Sequence, residues 1–311
     1  MNTPPASTGT VRRPGIWQKC TNLNWTGVLF VAPSVILVVA LLFYPLGSAV
    51  FYSLTNKNLI KANYDFVGLA NFSELLQDPT YWRAFAISIK WTALSLIGQL
   101  GLGFLLAMAL DRIRHLSGLF RTLLIVPWAF PAIIIGFGWK WILNDVYGFV
   151  PNALRDIGLT DGLVALLADP DAVFWVVLGI NIWFGTPLFM VNILSALKTV
   201  PADQLEAAVV DGASAFQRFR YVTLQHIRAV IGLLVVLRTI WVFNNFDLLF
   251  LITGGGPGDL TTTLPIYAYR TGWGLKQLGM ASAVTITLLV FLIVVAVILF
   301  RFINRWERED R

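Results

Sequence analysis

The sequence has 311 residues, of which 57% are hydrophobic and 13% are charged, and its formal net charge is +6. Soluble domains carry about 25% charged residues, so this composition excludes an ordinary soluble protein and indicates a membrane protein. The only cysteine, Cys20, excludes a disulfide framework and a metal site built from several thiolates.

Six segments are long and apolar enough to cross a bilayer, which takes about 20 residues of helix. They are Trp25–Leu54, Phe85–Leu110, Phe120–Leu143, Val173–Leu197, Ala229–Ile252 and Ala281–Phe302. We therefore predict an all-α membrane protein whose six helices form one transmembrane domain, residues 25–303. A Pro/Ser/Thr-rich tail, 1–24, is predicted to be disordered, and residues 304–311 form a short C-terminal tail.

Prolines lie inside the first, third and fourth segments and predict kinks there. Membrane helices tolerate such prolines because neighbouring groups satisfy the freed carbonyl oxygens. The kinked positions are Pro33, Pro45, Pro127, Pro131 and Pro187.

The distribution of Lys and Arg predicts the orientation, since basic loops stay in the cytoplasm. Fourteen of these residues lie in the two tails and the even-numbered loops, and six lie in the odd-numbered loops. Both termini are therefore expected in the cytoplasm. The positive charge follows from this topology, and we predict no nucleic-acid partner.

A polar segment, 201–224, lies on the predicted cytoplasmic side between the fourth and fifth spans. Pro201 and Asp203 are typical of a helix start, Gly212 interrupts the helix, and a second short helix follows. One interpretation is an amphipathic element on the membrane surface, with its arginines at lipid phosphates. The other is a knob that docks into a partner's groove, with small residues allowing close approach and Glu206 and Asp211 pairing with basic groups.

Motifs for catalysis and for metal or nucleotide binding are absent from the sequence. It has no G-x-x-x-x-G-K-[ST] loop, no H-E-x-x-H and no G-x-S-x-G. The glycine-rich stretch Ile252–Leu260 is predicted to be an outer turn, because Pro257 interrupts it and no strand precedes it. We expect no catalytic residue and no metal site in this chain.

Arg238 lies within the fifth span, where an ionisable residue is a candidate for function. Trp241 follows at the i+3 position, so the two are expected on one helix face, where a guanidinium and an indole suit a sugar or an anion. Alternatively, Arg238 pairs with Asp247 or with a carboxylate on another chain. Asn244 and Asn245 fit either solute contact or helix packing.

Several of these motifs resemble one known family. Glu206-Ala207-Ala208 followed by Asp211-Gly212-Ala213 resembles the coupling loop of ABC importer permeases. Four further stretches resemble the carbohydrate-uptake permeases for oligosaccharides and glycerol-3-phosphate, and they occur in the same order along the chain. They are "FVGLANFSELLQD", "RTLLIVPWAFPAIIIGFGWKWILND", "NIWFGTPLFMVNILSALKTVPADQLEAA" and "FNNFDLLFLITGGGPGDLTT". The resemblance implies the type I importer permease fold in a bacterial cytoplasmic membrane.

The same resemblance implies a set of partners. They are a second permease subunit, two ATP-binding subunits that hold ATP and Mg²⁺, an extracytoplasmic solute-binding protein and membrane lipid. In the family, the coupling loop docks into a cleft of the ATP-binding subunit. Gln225 and Ala229 occupy positions where the family usually has prolines, so the helix that enters span five is expected to be straighter.

Solute contacts carried over from the maltose permease of this family fall in the third, fourth and fifth spans. Together with Trp241 and Asn244, the predicted solute-binding residues are Trp128, Asn181, Phe184, Gly185, Arg238 and Asn245. Ala132 lies where the maltose permease has a small polar residue. Arg238 and Val242 lie where it is polar and uncharged, which argues against maltose and permits a solute with an acidic group. We predict a permease subunit that imports a sugar or sugar-like solute; the alternative is an ion-coupled secondary transporter, which would need ion-coupling acids within its spans.

Overall fold

A computed structural model describes residues 25–113, 115–159, 162 and 164–308. The predicted tail 1–24 lies outside these ranges, as do the last three residues of the tail 304–311. The described residues form helices and no strand. These are α1 (Trp25–Ser53), α2 (Ala70–Gln77), α3 (Pro79–Arg112), α4 (Ser117–Ala129), α5 (Ala132–Ile142), α6 (Phe149–Asp156), α7 (Val173–Leu197), α8 (Ala202–Val210), α9 (Ala215–Arg218), α10 (Leu224–Phe243), α11 (Asp247–Thr253), α12 (Leu264–Tyr269) and α13 (Leu278–Arg308).

Five helical elements in the described chain are long and apolar enough to cross a membrane. They are residues 26–53 of α1, α3, α7, the run Ala215–Thr253, which comprises α9, α10 and α11, and residues 278–303 of α13. The pair α4 and α5 raises the number to six if it counts as one span. Each of the six segments predicted from the sequence overlaps one of these elements or the α4–α5 pair.

The third predicted span is more strongly bent than a kinked helix. α4 and α5 meet at 91°. Pro131 lacks a backbone N–H and disfavours helical backbone at the preceding residue, and Phe130 is accordingly extended, with φ −83° and ψ 144°. The prolines identified in the sequence therefore divide this span into two helices.

The second predicted span is longer than its apolar stretch, because its N-terminus is capped. The Asp78 side chain accepts a hydrogen bond from the Thr80 backbone N–H at 2.7 Å, and Pro79 occupies the first helical position. A carboxylate cap satisfies an amide that would otherwise lack a partner, and proline fits the first turn. The helix therefore begins at Pro79, six residues before the predicted Phe85.

The described chain divides into two compact units, with the boundary between Phe51 and Tyr52. In the second unit, α3, α7 and α10 pack around a core that includes Phe189, Met190 and Ile193, all of which are buried. A Cβ atom added to Gly103 of α3 would lie 2.5 Å from the Phe189 Cβ. Glycine at that position therefore allows α3 and α7 to approach closely.

The glycine-rich stretch forms a turn after α11, as the sequence predicts. Gly254 has a φ of +62° and ends α11, a conformation that glycine adopts without strain. Arg270 holds the turn by donating to the Gly254 carbonyl oxygen at 2.7 Å and by a salt bridge to Asp259. The turn is therefore fixed by side-chain contacts as well as by glycine.

Candidate functional site

A buried polar cluster lies where α3, α7 and α10 meet. The Arg238 Nε donates to Gln99 Oε1 at 2.8 Å, and the Gln99 Nε2 donates to the Asn181 carbonyl oxygen at 2.8 Å. The Asn181 Nδ2 donates to Ser95 Oγ at 2.8 Å, and Asn245 Nδ2 donates to Asn181 Oδ1 at 3.4 Å. Three transmembrane helices thus contribute to one hydrogen-bond network near the middle of their spans.

Gly185 of α7 makes room for this network. A Cβ atom at that position would lie 2.3 Å from Arg238 Nη2 and from Gln99 Cδ. Those distances are far below van der Waals contact, so any larger residue would displace the two side chains. The glycine predicted as a solute contact therefore lies against the guanidinium itself.

Arg238 is only 7% exposed, and no described carboxylate lies within salt-bridge distance of its guanidinium. Asp247, one of the two partners considered from the sequence, is exposed at the start of α11. Arg238 is therefore a buried cation whose one hydrogen-bonded protein partner in the described chain is an amide.

The other predicted solute contacts lie away from the cluster. Trp128 is 42% exposed and Trp241 is 55% exposed, and the Asn244 side chain bonds to the Ile240 carbonyl oxygen of its own helix. Phe184 is half-buried and packs against the apolar core. The structure thus brings together Asn181, Gly185, Arg238 and Asn245, and it separates the Arg238 side chain from the exposed Trp241 ring.

Sequence reasoning missed Gln99 and Ser95, which complete the cluster. Both are fully buried in α3. With Ser88 and Thr92 they repeat at intervals of three or four residues, which places them along one face of a helix. That polar stripe within an apolar span was the available signal.

The segment after α7 contains two short helices separated by a tight turn. α8 begins after Pro201 and ends at Val210, and Gly212 has a φ of +79°. The Ala213 backbone N–H donates to the Ala208 carbonyl oxygen at 2.9 Å, which closes the turn. Ser214 and Gln217 then form a reciprocal capping box at the start of α9.

The six predicted coupling residues lie in this turn and in α8. Glu206, Ala207, Asp211 and Gly212 are exposed, whereas Ala208 and Ala213 are partly buried. Two apolar side chains beside them are also exposed, Val210 at 87% and Phe216 at 72%. The segment therefore presents acidic, small and apolar groups together on an open surface.

α9 continues into α10 without a break. A π-helical turn, Phe219–Thr223, connects them, and Phe219 packs edge-to-face against Phe104 of α3 with ring centroids 5.7 Å apart. Gln225 and Ala229, which occupy the proline positions of the family, both lie within α10. The helix is continuous through these two positions but contains the π-helical turn, so the straighter entry stays a prediction.

A polar contact outside the cluster joins the start of α3 to α12. The Tyr267 hydroxyl donates to Asp78 Oδ2 at 2.5 Å. Burial alone raises the Asp78 pKa, but hydrogen bonds from Tyr267 and Thr80 outweigh it, and the pKa lies below its ordinary value. Burial and the hydrogen bond to Asp78 both raise the Tyr267 pKa.

Within the described ranges, no group of three or more His, Cys, Asp or Glu side chains is placed to hold a metal ion. The polar chemistry that the cluster offers is that of a guanidinium, amides and hydroxyls. Such groups bind and orient a ligand through hydrogen bonds.

Comparison with known proteins identifies the family. Residues 99–309 match the family described as the binding-protein-dependent transport system inner membrane component. The sn-glycerol-3-phosphate transport system permease protein UgpA of Agrobacterium fabrum is 31% identical over 283 residues, covering 89% of this chain and 94% of the relative. The trehalose/maltose transport system permease protein MalF of Thermococcus litoralis is 29% identical over 284 residues, covering 91% and 95%.

The fold is shared with a solved structure. One chain of a crystal structure of a bacterial ABC transporter involved in the import of the acidic polysaccharide alginate has a TM-score of 0.80 to this chain at 22% identity. The alignment covers 93% of this chain and 98% of that chain. The family match spans well over half of the sequence, so the chain belongs to the binding-protein-dependent transport inner membrane components and is a non-catalytic permease subunit of an ABC transporter.

Proposed function

We propose that this chain is the translocation subunit of an ATP-driven importer for a sugar or sugar-like solute. The relatives support this class of solute, since their names give glycerol-3-phosphate and trehalose or maltose, and the solved transporter imports alginate. The chain works with a second permease, two ATP-binding subunits and an extracytoplasmic solute-binding protein, and both of its termini lie in the cytoplasm. ATP and Mg²⁺ bind to the partner subunits.

The observation that carries the proposal is the exposed turn between α8 and α9 in a chain of this family. Its hydrogen bonds are local, so its outward-facing side chains are free to meet another protein. Glu206 and Asp211 pair with basic groups of the ATP-binding subunit, and Val210 and Phe216 enter its groove. An apolar side chain that fills a partner's pocket is a common anchor of such an interface.

Coupling follows from the continuity of α9 with α10. When the ATP-binding subunits close, they draw the two permeases' coupling segments together. The movement passes through the π-helical turn into the fifth span and switches the pore from inward-facing to outward-facing. The solute-binding protein then releases its solute into the open pore.

The solute passes along the face that this chain shares with the second permease, near the middle of the membrane. Trp128, Trp241 and Asn244 lie on exposed surfaces and contact the solute from that face. Asn181, Gly185, Arg238 and Asn245 approach it from the interior of this chain, and Phe184 supports them through the core. An aromatic ring stacks on the apolar face of a sugar while amides and charges bind its polar groups.

Charge reversal by Glu206→Lys tests the proposal. In the importer co-expressed with its partner subunits, we expect ATP-dependent uptake to fall at least tenfold and recovery of the ATP-binding subunit with the permease to fall. The amount of folded permease in the membrane stays unchanged, because Glu206 is exposed. Asp156→Lys, an exposed acid at the end of α6, is the matched control and retains both activities. Normal uptake together with normal recruitment in the Glu206 variant would contradict the coupling role.

A further inference from the structure

We propose that the solute carries an acidic group, which Arg238 binds through its two terminal nitrogens, and that Gln99 is the residue that positions Arg238. This inference rests on the proposed function and narrows its solute class. It excludes neutral oligosaccharides as the preferred solute.

The first support is the set of free donors on Arg238. Its Nε is satisfied by Gln99 Oε1, but among the described residues no acceptor contacts Nη1 or Nη2. Arg238 as a residue is 7% exposed, yet neither terminal nitrogen is among the fully enclosed side-chain atoms without a partner in the described chain. The two nitrogens are therefore accessible, and their four N–H groups are open to a ligand that supplies acceptors.

The second support is charge. A buried cation in a protein interior is ordinarily paired with a carboxylate. Here the one hydrogen-bond partner that the described chain brings to Arg238 is the amide of Gln99, and the acid nearest in the sequence, Asp247, is exposed. An ionisable group within a membrane span is by default a candidate for a role in the transport path.

The third support is that the site is shaped around the guanidinium. Gly185 leaves room for Nη2, since a Cβ there would lie 2.3 Å away. Gln99 is held from its other end, because its Nε2 donates to the Asn181 carbonyl oxygen. Its Oε1 is therefore directed at Arg238, which fixes the plane of the fork without neutralising its charge.

The geometry of the fork defines the chemical class. A planar guanidinium with two free terminal nitrogens binds carboxylate, phosphate or sulfonate oxygens through two parallel hydrogen bonds. Asn245, half-buried beside the cluster, supplies amide groups for sugar hydroxyls. The ligand is therefore a sugar or polyol that bears one of these acidic groups.

Binding to the assembled transporter in nanodiscs tests the inference, with glucuronate and glucose as probes that differ in one carboxylate. Isothermal titration is expected to give glucuronate at least tenfold tighter binding than glucose. Arg238→Gln removes that preference. Gln99→Glu also removes the preference, because the new carboxylate neutralises the Arg238 guanidinium. In this variant Arg238 keeps a hydrogen-bonded partner at position 99, so the loss cannot be attributed to an unpaired arginine. Arg301→Gln, at an exposed position in α13, retains the preference.

Any one of the following results would overturn the inference: no glucuronate binding up to about 50 mM, equal binding of glucose and glucuronate, or a preference that survives both Arg238→Gln and Gln99→Glu. A parallel titration with sodium chloride separates an acidic sugar from a simple counter-ion, and chloride binding as tight as that of glucuronate also contradicts it. The proposed importer function is judged separately by recovery of the ATP-binding subunit with the permease. If the ATP-binding subunit is recovered with the permease but glucose and glucuronate bind equally, only the inference about the solute is contradicted. If the unmodified chain does not recover the ATP-binding subunit, the proposed importer function is contradicted.

Discussion

The buried Arg238 cluster and the exposed segment from α8 to α9 are both polar regions of an apolar chain, but they are stabilised in opposite ways. In the cluster, Arg238 and Gln99 are 139 residues apart, and Gln99 and Asn181 are 82 residues apart. In the segment, the bonds of Ala213, Ser214 and Arg218 all reach residues no more than five positions away. The cluster therefore depends on helix packing, whereas the segment keeps its shape locally and leaves its side chains free for a partner.

The largest effect on the cluster is expected from a substitution at Gly185. Gly185→Ala places a methyl group against Arg238 and Gln99, both of which are buried, and we expect a loss of about 2 kcal/mol in stability, as for overpacking of a core. The variant also separates the Arg238–Gln99 hydrogen bond, so transport falls with stability. Thermal unfolding of the purified chain in detergent measures the first effect, and uptake measures the second.

Gly179 provides the control on the same helix. A Cβ atom there meets nothing within 4 Å. Gly179→Ala is expected to leave stability unchanged or slightly raised, because alanine has the higher helix propensity. Equal losses in the Gly179 and Gly185 variants would show that α7 responds to any substitution, rather than to contact with the cluster.

A smaller and more local effect is expected at Gly212. Its φ of +79° is unfavourable for residues with a Cβ, although the surrounding space is open. Gly212→Ala costs about 1 kcal/mol, and Gly212→Asn costs less because asparagine tolerates the left-handed region. Hydrogen exchange at the Ala213 amide, which closes the turn, measures the difference. Faster exchange that spreads to α3 and α7 would contradict the local stability of the segment.

The smallest effect is expected at the Asp78–Tyr267 contact, which is intermediate in burial. Tyr267→Phe removes one hydrogen bond and should cost about 0.5–1 kcal/mol near neutral pH. Because the Asp78 pKa is lowered, this stabilisation is present above its ordinary value of 3.8 and is lost as pH falls through the lowered value. Because the Tyr267 pKa is raised, the stabilisation is also lost as pH rises above 10.0.

Melting temperatures of the wild-type chain and of Tyr267→Phe, compared at pH 7 and at about pH 3.5, test this dependence. The difference between the two proteins should shrink at the lower pH. Tyr147→Phe, an exposed tyrosine beside α6, serves as the control and should change the melting temperature at neither pH. A difference that grows on acidification would contradict the role assigned to the Asp78 carboxylate.

The two regions also differ in how far the sequence predicts them. The turn at Gly212 could be predicted because its determinants are local: a proline and an acid at the helix start and a glycine at the turn. The strong bend of the third span was predicted in position by Pro127 and Pro131 but not in size. Proline identifies which hydrogen bonds are lost, whereas the angle depends on the helices packed around the break.

The cluster was only partly predictable. Arg238 was identified as an ionisable residue in an apolar span and Asn181 through the family resemblance, but their partner Gln99 belongs to a helix far away in the sequence. The i+3 relation between Arg238 and Trp241 predicted a shared face, yet the two differ by about 60° around the helix axis. The boundary between buried and exposed surface falls within that angle, and only the packing of α3 and α7 on α10 decides where it lies.

The unbroken run from α9 into α10 has a mechanical consequence. From Phe216 to Arg238 the axis is about 33 Å long, at a rise of 1.5 Å per residue, and the described helix has no proline or loop along it. A rod of that length that tilts by about 5° at one end moves the other end by roughly 3 Å, about the length of one hydrogen bond. A tilt of that size at the turn of Gly212 is enough to make or break a contact at the guanidinium if the π-helical turn Phe219–Thr223 transmits it unchanged.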